Sequence, residues 1–412
     1  MPLTGGRNEM RKIFDGLKVV EWGNLISAPY CAKLFADLGA EVIKVEKPHT
    51  GDKARQHGPF PEDIPNQEKS GLFLWLNTNK LGITLNLETK KGRDILKRLL
   101  EDVDVFVENN SPRLMVEFGL DYNSLLGINP RLIMASITPF GQTGPYRDYK
   151  AYELNCSAAG GVLVGVGYPD REPLDLPLSQ GGYEAGIGAA TAIMIALMAR
   201  KRIGRGQYID ISEAEIWADL HVGVNVLTFM YRGITGIRRG THGGYFLYPN
   251  EILPCKDGYV ALTCPQLAQW QRFLELMGNP EWAQNPRYRN RRAMHEEYPD
   301  EVNALLIPWL KEHTMEELFQ LCLKQRIPLV PIYRINELMN HPHLKQCNFF
   351  IEFDHPEAGR LKYTAGPCRF SVTDWQIERP APLLGEHNEL IFSQRLGYSS
   401  HELAKLAREG VI

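Results

Sequence analysis

Short apolar runs alternate with amphipathic stretches along the first half of the chain. The apolar runs are rich in β-branched residues, which is typical of buried strands, and the stretches between them place apolar residues at helical spacing. The pattern predicts strands at residues 17–22, 41–45, 83–87, 103–107, 132–137 and 208–212, and helices at residues 30–38, 91–100 and 183–199.

This alternation of strands and helices favours an α/β fold, with a doubly wound, Rossmann-like parallel sheet in a large domain. Ligands of such sheets bind at the carboxyl ends of the strands. The first predicted strand is followed by Gly23-Asn24-Leu25-Ile26-Ser27 and by no GxGxxG motif. A dinucleotide cofactor is therefore not expected.

The pattern changes after Tyr231. Residues 255–260 predict a hairpin turn that leads into a strand, and residues 270–277 and 315–323 predict helices. This mixture predicts a small α+β domain, and residues 328–331 are expected to return the chain to the large domain. The predicted domains are residues 11–229 for the N-terminal part of the large domain, 230–325 for the small domain, and 326–412 for the C-terminal part.

Composition narrows the classes of function. The 412 residues carry a formal net charge of -3, which argues against a nucleic-acid partner. No apolar run in the sequence reaches the length of a membrane span, and residues 1–12 lack an apolar signal segment, so a cytoplasmic location without a membrane partner is expected. Seven scattered cysteines form no CxxC pair, and no metal site is predicted.

A glycine-rich run lies directly ahead of the helix predicted at residues 183–199. It is Ser179-Gln180-Gly181-Gly182-Tyr183-Glu184-Ala185-Gly186, and Gly204-Arg205-Gly206-Gln207 follows the helix. The whole block resembles the signature region of the family III CoA-transferases, which include the formyl-CoA and carnitine CoA-transferases. In that family an Asp opens the helix, three residues before an Ala/Ser/Thr-Gly pair. Gly182 holds that place here.

The resemblance extends over nearly the whole chain and so does not rest on this block alone. Five further motifs follow in the family's order and spacing. They are residues 28–46, Val107-Glu108-Asn109 with Pro112, Ala135-Ser136-Ile137 with residues 140–146, His341-Pro342-His343-Leu344, and residues 382–387.

The resemblance implies an architecture that the composition does not. Family members are ring-shaped chains that form interlocked dimers. The large domain combines the N- and C-terminal parts of each chain, and the small domain is the middle part. Each active site lies between the large domain of one chain and the small domain of the other.

The resemblance also implies the chemistry. A carboxylate attacks an acyl-CoA thioester, a mixed anhydride forms and CoA leaves, to return later in the exchange. The substrates are therefore expected to be acyl-CoA and a carboxylic acid. A covalent intermediate divides one difficult exchange into easier steps, and loss of a nucleophile typically lowers the rate by about 10⁴- to 10⁶-fold.

Gly182 cannot attack a thioester, so no catalytic residue is assigned in this chain. Glu184 is a candidate substitute, but it lies two residues on, roughly 200° around a helix, and should face elsewhere. Glu153 and Asp175 are the other carboxylates near in sequence, and both are expected to be solvated or paired.

Two further positions depart from the family pattern. Glu117 stands where well-studied members carry an Arg that contacts CoA, and Thr138 stands where a Lys is frequent. A carboxylate would repel the phosphates of CoA. The three departures together predict an active site that has lost its catalytic function.

Other positions expected near CoA are retained. Thr241, His242, Gly243 and Gly244 lie near the family's mobile glycine loop, which closes over the partner's site. Lysine and asparagine are suitable partners for the phosphate and amide groups of CoA. The expected CoA-binding residues are Lys44, Lys47, Lys80, Asn109 and Asn110.

Four hypotheses remain open. In the first, the chain is the non-catalytic subunit of a heteromeric CoA-transferase whose paralogous partner carries the Asp; a two-chain member of the family, from anaerobic toluene degradation, uses succinyl-CoA and (R)-benzylsuccinate. In the second, the chain acts alone through Glu184. In the third it is an acyl-CoA racemase, although Tyr152 and Gly182 stand where the His/Asp pair of the racemases would fall. In the fourth it is a CoA-binding scaffold.

Overall fold

The computed structural model describes residues 12–236, 238–244, 247–366, 368–373 and 375–412. Within these residues the strands are β1 (Lys18–Trp22), β2 (Glu41–Glu46), β3 (Leu81–Thr84), β4 (Val105–Glu108), β5 (Ile133–Thr138), β6 (Tyr208–Ser212), β7 (Asn250–Pro254), β8 (Tyr259–Thr263), β9 (Leu329–Pro331), β10 (Phe350–His355) and β11 (Gly359–Thr364).

The α-helices of the same described residues follow in chain order. They are α1 (Ser27–Ala36), α2 (Gly71–Leu76), α3 (Lys90–Leu100), α4 (Pro112–Phe118), α5 (Tyr122–Leu126), α6 (Glu153–Ala159), α7 (Gln180–Ile203), α8 (Glu213–Trp217), α9 (Gly223–Arg232), α10 (Leu267–Leu276), α11 (Arg291–Glu296), α12 (Pro299–Leu310), α13 (Met315–Lys324), α14 (Ile335–Leu338), α15 (Pro342–Gln346) and α16 (Ser400–Arg408).

The first six strands form one parallel sheet with the order β3-β2-β1-β4-β5-β6. The order reverses at β1, which is the arrangement of a doubly wound sheet, and the carboxyl ends of β1 and β4 meet at this point. The prediction of an α/β fold with a parallel sheet is thereby confirmed.

Helices cover both faces of the sheet and build two separate cores. On one face, Ala185, Ala189 and Ile193 of α7 pack with α1 against the sheet. On the other face, α3, α4 and α16 pack against Phe106 and Met134. Because both faces are covered, the strands are apolar along most of their length, as the sequence pattern indicated.

The helix α7 is longer than the predicted helix at residues 183–199, because it begins at Gln180 and continues to Ile203. By length and composition alone it could cross a membrane, and it is the one described helix with that property. A core helix of a globular protein passes the same test. The buried stripe of glycine and alanine that packs on α1 gives α7 a place in the core of this fold.

The chain divides into two compact units, which we describe separately. The first contains residues 1–162, 175–231 and 345–412, and the second contains residues 163–174 and 232–344. In the second unit, β7, β8 and β9 form an antiparallel sheet around a core of its own. Residues 328–331 were expected to return to the large domain. Instead β9 pairs with β8, because Val260 and Leu262 offer a buried edge to Leu329 and Pro331.

Candidate active site

The start of α7 lies beside the loop that joins β1 to α1. Ser179 precedes the helix in a left-handed conformation, and Gly181, Gly182, Ala185 and Gly186 are buried at its first turns. A Cβ on Gly186 would lie 2.8 Å from the carbonyl oxygen of Ser27. The small residues therefore allow α7 to approach the backbone of α1 closely.

Gly182 faces this same loop. A Cβ built on Gly182 would lie 3.1 Å from Cγ2 of Ile26 and 3.9 Å from the backbone nitrogen of Ser27. A side chain at position 182 would therefore point toward the carboxyl end of β1, where ligands of doubly wound sheets bind. Ile26 occupies that direction in this chain and supplies no nucleophile.

The carboxylate of Glu153 caps the start of α7. It accepts hydrogen bonds from the backbone nitrogens of Gly181, at 2.6 Å, and Gly182, at 3.2 Å. The first backbone N–H groups of a helix lack partners within the helix and carry partial positive charge, so they stabilise an anion. The side chain of Glu153 therefore already occupies the anion-binding N-terminus of α7.

A second carboxyl group and an indole lie near this cap. Burial raises the pKa of Glu213, and the charge of Glu153 raises it further. The indole nitrogen of Trp217 is buried without a hydrogen-bond partner among the described residues. The raised pKa favours the neutral, protonated form of Glu213 beside the cap.

The other nearby carboxylates are engaged elsewhere. Both oxygens of Glu184 lie 3.0 Å from Nε2 of His221. Asp175 accepts a hydrogen bond from the backbone of Leu176 at 2.9 Å. The sequence predicted that Glu184 would not share the direction of position 182, and the two positions do contact different parts of the fold.

Asn109 and Asn110 hold the turns at the carboxyl ends of β1 and β4. The side chain of Asn109 accepts from the backbone nitrogen of Asn24 at 2.9 Å and donates to its carbonyl oxygen at 2.8 Å. It also donates to Oγ of Ser27 at 3.1 Å, and Asn110 donates to the carbonyl oxygen of Trp22 at 3.0 Å. Both residues therefore lie at the predicted edge of the sheet, and their contact with CoA stays a prediction.

Two of the lysines expected near CoA are fully buried in ion pairs. Lys44 pairs with Glu21 at 2.7 Å and Asp52 at 2.8 Å, and Lys80 pairs with Glu21 at 2.8 Å. Burial lowers the pKa of Lys80 to about 8, against the opposing charge of Glu21. Both ammonium groups are thus held by buried carboxylates and offer no surface to a ligand within this chain.

Lys47 differs from these two because it is exposed. It pairs with Glu88 at 2.8 Å, and more than half of each side chain is exposed. Since an exposed ion pair exchanges readily with water, Lys47 remains free to contact a phosphate. The role of Lys47 stays a prediction.

The predicted lid residues lie in the second unit, on the edge of β7. Thr241 accepts a backbone hydrogen bond from Ile252 at 3.0 Å, and Gly243 donates one to Asn250 at 2.6 Å. The ring of His242 contacts the buried carboxylate of Glu251, whose hydrogen bond raises the pKa of the imidazole. Gly244 follows in the chain, and a role of these four residues as a lid stays a prediction.

The two departures Glu117 and Thr138 lie in different environments. Glu117 is exposed on α4, while Thr138 is buried at the end of β5 with a hydroxyl that has no partner among the described residues. Tyr152, at the position of the racemase His, is 76% exposed. None of the three places a carboxylate beside Gly182.

Sequence reasoning missed the cap formed by Glu153. The signal available was the acidic residue at the first position of α6, but the carboxylate reaches α7 across 28 residues of chain, and only the folded structure brings them together. The pairing of Glu184 with His221 was missed for the same reason.

The chain is similar in sequence to members of one protein family. The model of CoA-transferase family III matches residues 14–388. The chain is 33% identical to succinyl-CoA–D-citramalate CoA-transferase of Chloroflexus aurantiacus over 97% of this chain and 98% of that protein. It is 30% identical to the beta subunit of succinyl-CoA–L-malate CoA-transferase of the same organism, over 96% of this chain and 97% of that protein.

Solved structures are similar across the same span. A CaiB/BaiF family protein from Brucella suis superposes with a TM-score of 0.83 at 30% sequence identity, over 92% of this chain and 98% of that one.

Proposed function

Because the chain belongs to the family III CoA-transferases, we propose that it is the non-catalytic subunit of a heteromeric CoA-transferase. The complex moves CoA between an acyl-CoA and a carboxylic acid, and a paralogous chain supplies the attacking Asp. The observation that carries the proposal is the start of α7, where Gly182 offers only backbone and Glu153 occupies the anion-binding N–H groups.

The engagement of the remaining carboxylates supports this division of labour. An attacking carboxylate must lie within a few ångströms of the thioester carbon. Glu184 is paired with His221, and Asp175 accepts a hydrogen bond from the backbone nitrogen of Leu176. Glu153 could leave its cap only by uncovering two backbone N–H groups at the positive end of a helix. None of the three is free to attack without losing these contacts.

An exposed apolar helix supports the proposal that this chain binds a partner chain. None of the ten residues of α9 is buried, and its surface includes Val224 at 78% exposed, Met230 at 71% and Tyr231 at 81%. A contiguous apolar surface of this kind marks an interaction site rather than a face left in water. We infer that a second chain covers α9 in an interlocked dimer of ring-shaped chains.

The names of the relatives guide the choice of substrates. Two of them are named for succinyl-CoA, and one is named as a beta subunit. We therefore propose succinyl-CoA as the CoA donor, and we propose (R)-benzylsuccinate as the acid on the basis of the sequence resemblance to the two-chain transferase.

Reconstitution tests the proposal. The purified chain, alone and mixed with a paralogous chain that carries Asp at the position of Gly182, is given succinyl-CoA and (R)-benzylsuccinate, and the new thioester is measured. We expect exchange only in the mixture, and its loss when that Asp is changed to Asn. Exchange by this chain alone that disappears in Glu184→Gln would support the standalone enzyme instead.

A further inference from the structure

Residues 241–243 of the second unit run along the free edge of β7 and pair with it. The backbone nitrogen of Ile252 donates to the carbonyl oxygen of Thr241 at 3.0 Å, and the backbone nitrogen of Gly243 donates to the carbonyl oxygen of Asn250 at 2.6 Å. We call residues 241–243 the edge segment. These two hydrogen bonds join the edge segment to the sheet.

The middle residue of the edge segment, His242, pairs with a buried carboxylate. Its Nδ1 atom contacts Oε2 of Glu251, whose side chain is 0% exposed, and Asn303 donates to the same oxygen at 3.1 Å. In the part of the chain that the structure describes, no lysine or arginine forms an ion pair with Glu251. Because a buried carboxylate without a cation is costly, the charge on His242 decides how well Glu251 is stabilised.

Two further charged groups face His242. Its Nε2 atom lies 3.4 Å from Oδ1 of Asp300 on α12, but that side chain is 94% exposed, so water screens the attraction. The guanidinium of Arg239 lies on the other side and opposes a positive charge on the ring. The hydrogen bond with Glu251 outweighs both burial and Arg239, and it raises the pKa of His242.

A second histidine on α11 behaves in the opposite way. Arg239 donates from Nη1 to Nε2 of His295 at 3.1 Å, and an imidazole nitrogen that accepts such a bond carries no proton. Burial lowers the pKa of His295, and the charge of Arg239 lowers it further. Tyr248 also lies near Glu251, and burial raises the pKa of its hydroxyl, so it stays neutral. The charge of His242 is therefore the one that changes near neutral pH in this cluster.

The chain just before the edge segment is fixed by other contacts. The backbone nitrogen of Gly240 donates to the carbonyl oxygen of Gly167 at 2.9 Å. Arg238 donates to the carbonyl oxygens of Tyr168 at 3.0 Å and Arg171 at 3.1 Å. Gly240 has a φ of +61°, a conformation that favours glycine. The edge segment can therefore leave β7 by turning about Gly240 while these contacts remain.

We propose that His242 and Glu251 form a pH-sensitive latch for the edge segment. When the imidazole is protonated, its charge stabilises the buried carboxylate, and the segment stays paired with β7. When the imidazole loses its proton, Glu251 is left buried without a cation, and release of the segment lets water reach the carboxylate. The latch uses contacts of the second unit alone, so it does not depend on which chain supplies the nucleophile.

Hydrogen–deuterium exchange of the full chain tests the latch. The amides of Gly243 and Ile252 make the two backbone contacts, so their protection reports whether the segment is in place. Exchange is resolved to single amides by fragment-ion mass spectrometry at about pH 6 and about pH 9, and each rate is divided by the intrinsic rate of that amide at the same pH. Because the latched state binds the proton of His242 more tightly, protection should fall about 3- to 10-fold from the lower to the higher pH.

Two variants remove the two charges separately. His242→Gln should show at the lower pH the weak protection that the unmodified chain shows at the higher pH. Glu251→Gln should make the protection of Gly243 independent of pH. The amide of Cys255, which donates to Gly258 at 2.9 Å in the same sheet, should keep its protection throughout and so reports an intact fold. A parallel fall at Cys255 would mean that the whole sheet opens and would contradict the latch.

His313→Gln is the matched control. His313 also belongs to the second unit, but its Nδ1 atom lies 2.9 Å from the carbonyl oxygen of Trp309, outside the latch. This variant should keep the full pH dependence of the Gly243 amide. Equal protection at both pH values in the unmodified chain, an unchanged pH dependence in His242→Gln or Glu251→Gln, or its loss in His313→Gln would each overturn the proposal.

Discussion

Gly182 leaves only backbone at the first turn of α7, next to Ile26 and above the carboxyl end of β1. The sequence identified this position through a resemblance, and helical geometry also separated it correctly from Glu184, which pairs with His221. The sequence could not identify Glu153 as the cap of α7, because a contact across 28 residues of chain depends on the tertiary fold. Lys44 and Lys80 were expected near CoA because the sequence does not show that both side chains are paired with buried carboxylates.

Restoring a carboxylate at position 182 should not restore an enzyme. In Gly182→Asp the new Cβ would lie 3.1 Å from Ile26, and its charge would meet Glu153 at the same helix end. We expect a loss of about 1–3 kcal/mol of unfolding free energy from crowding and at most weak CoA exchange by the chain alone. Urea unfolding and an exchange assay measure the two effects.

Two variants separate the causes of that loss. Gly182→Asn has the same shape without the charge, and Ile26→Ala combined with Gly182→Asp removes the crowding. We expect the double variant to recover part of the stability, since residues in contact couple. Rapid CoA exchange by the Gly182→Asp chain without a partner would contradict the view that this active site has lost its catalytic function.

Glu108 gives the chain a pH-dependent stability. Burial raises its pKa from 4.5 to about 7. Between these values the folded state keeps a proton that the unfolded state has lost, so the stability contributed by this group falls as pH rises from about 4.5 to about 7, by roughly 3 kcal/mol in total.

The variant Glu108→Gln keeps the shape of the side chain and does not ionise. We expect the difference in unfolding free energy between Glu108→Gln and the unmodified chain to grow in favour of the variant between pH 5 and pH 7.5. Urea unfolding at both values measures this difference. Parallel pH profiles for the two proteins would contradict a buried, protonated Glu108.

At the scale of elements, the periodicity of the sequence predicted the strands of the parallel sheet within one to three residues, because strands buried on both faces are continuously apolar. The bounds of α7 were less predictable. Its first turn contains Gly181 and Gly182, which are poor helix formers. Gly182 packs against Ile26, and the backbone N–H groups of both glycines donate hydrogen bonds to Glu153, so the helix begins here.

The helix α9 should matter for assembly and little for the fold of the single chain. Met230 is 71% exposed, so Met230→Glu should change the unfolding free energy of an isolated chain by less than about 0.5 kcal/mol. The same change places a charge in the proposed interface and should dissociate the complex, which analytical ultracentrifugation measures. Ile64→Glu is the control, because Ile64 is 63% exposed and lies outside α9. Equal dissociation by both variants would argue against α9 as the interface.

At the scale of the whole molecule, the sequence predicted a parallel α/β sheet and an inserted middle segment. The second compact unit also includes residues 163–174 and continues to Leu344, beyond the predicted bound at 325. A short strand such as β9 carries too few residues for its periodicity to indicate which sheet it joins, and only its pairing with β8 assigns it to the second unit.

The central claim is that a partner chain provides the nucleophile, and locating the covalent intermediate tests it most directly. This chain and its Asp-bearing paralogue are mixed with succinyl-CoA, the reaction is quenched, and intact-mass and peptide mass spectrometry assign any covalent acyl or CoA adduct to a chain and residue. We predict an adduct on the Asp of the paralogue and none on this chain. An adduct on Glu153, Glu184 or any other residue of this chain would contradict the account.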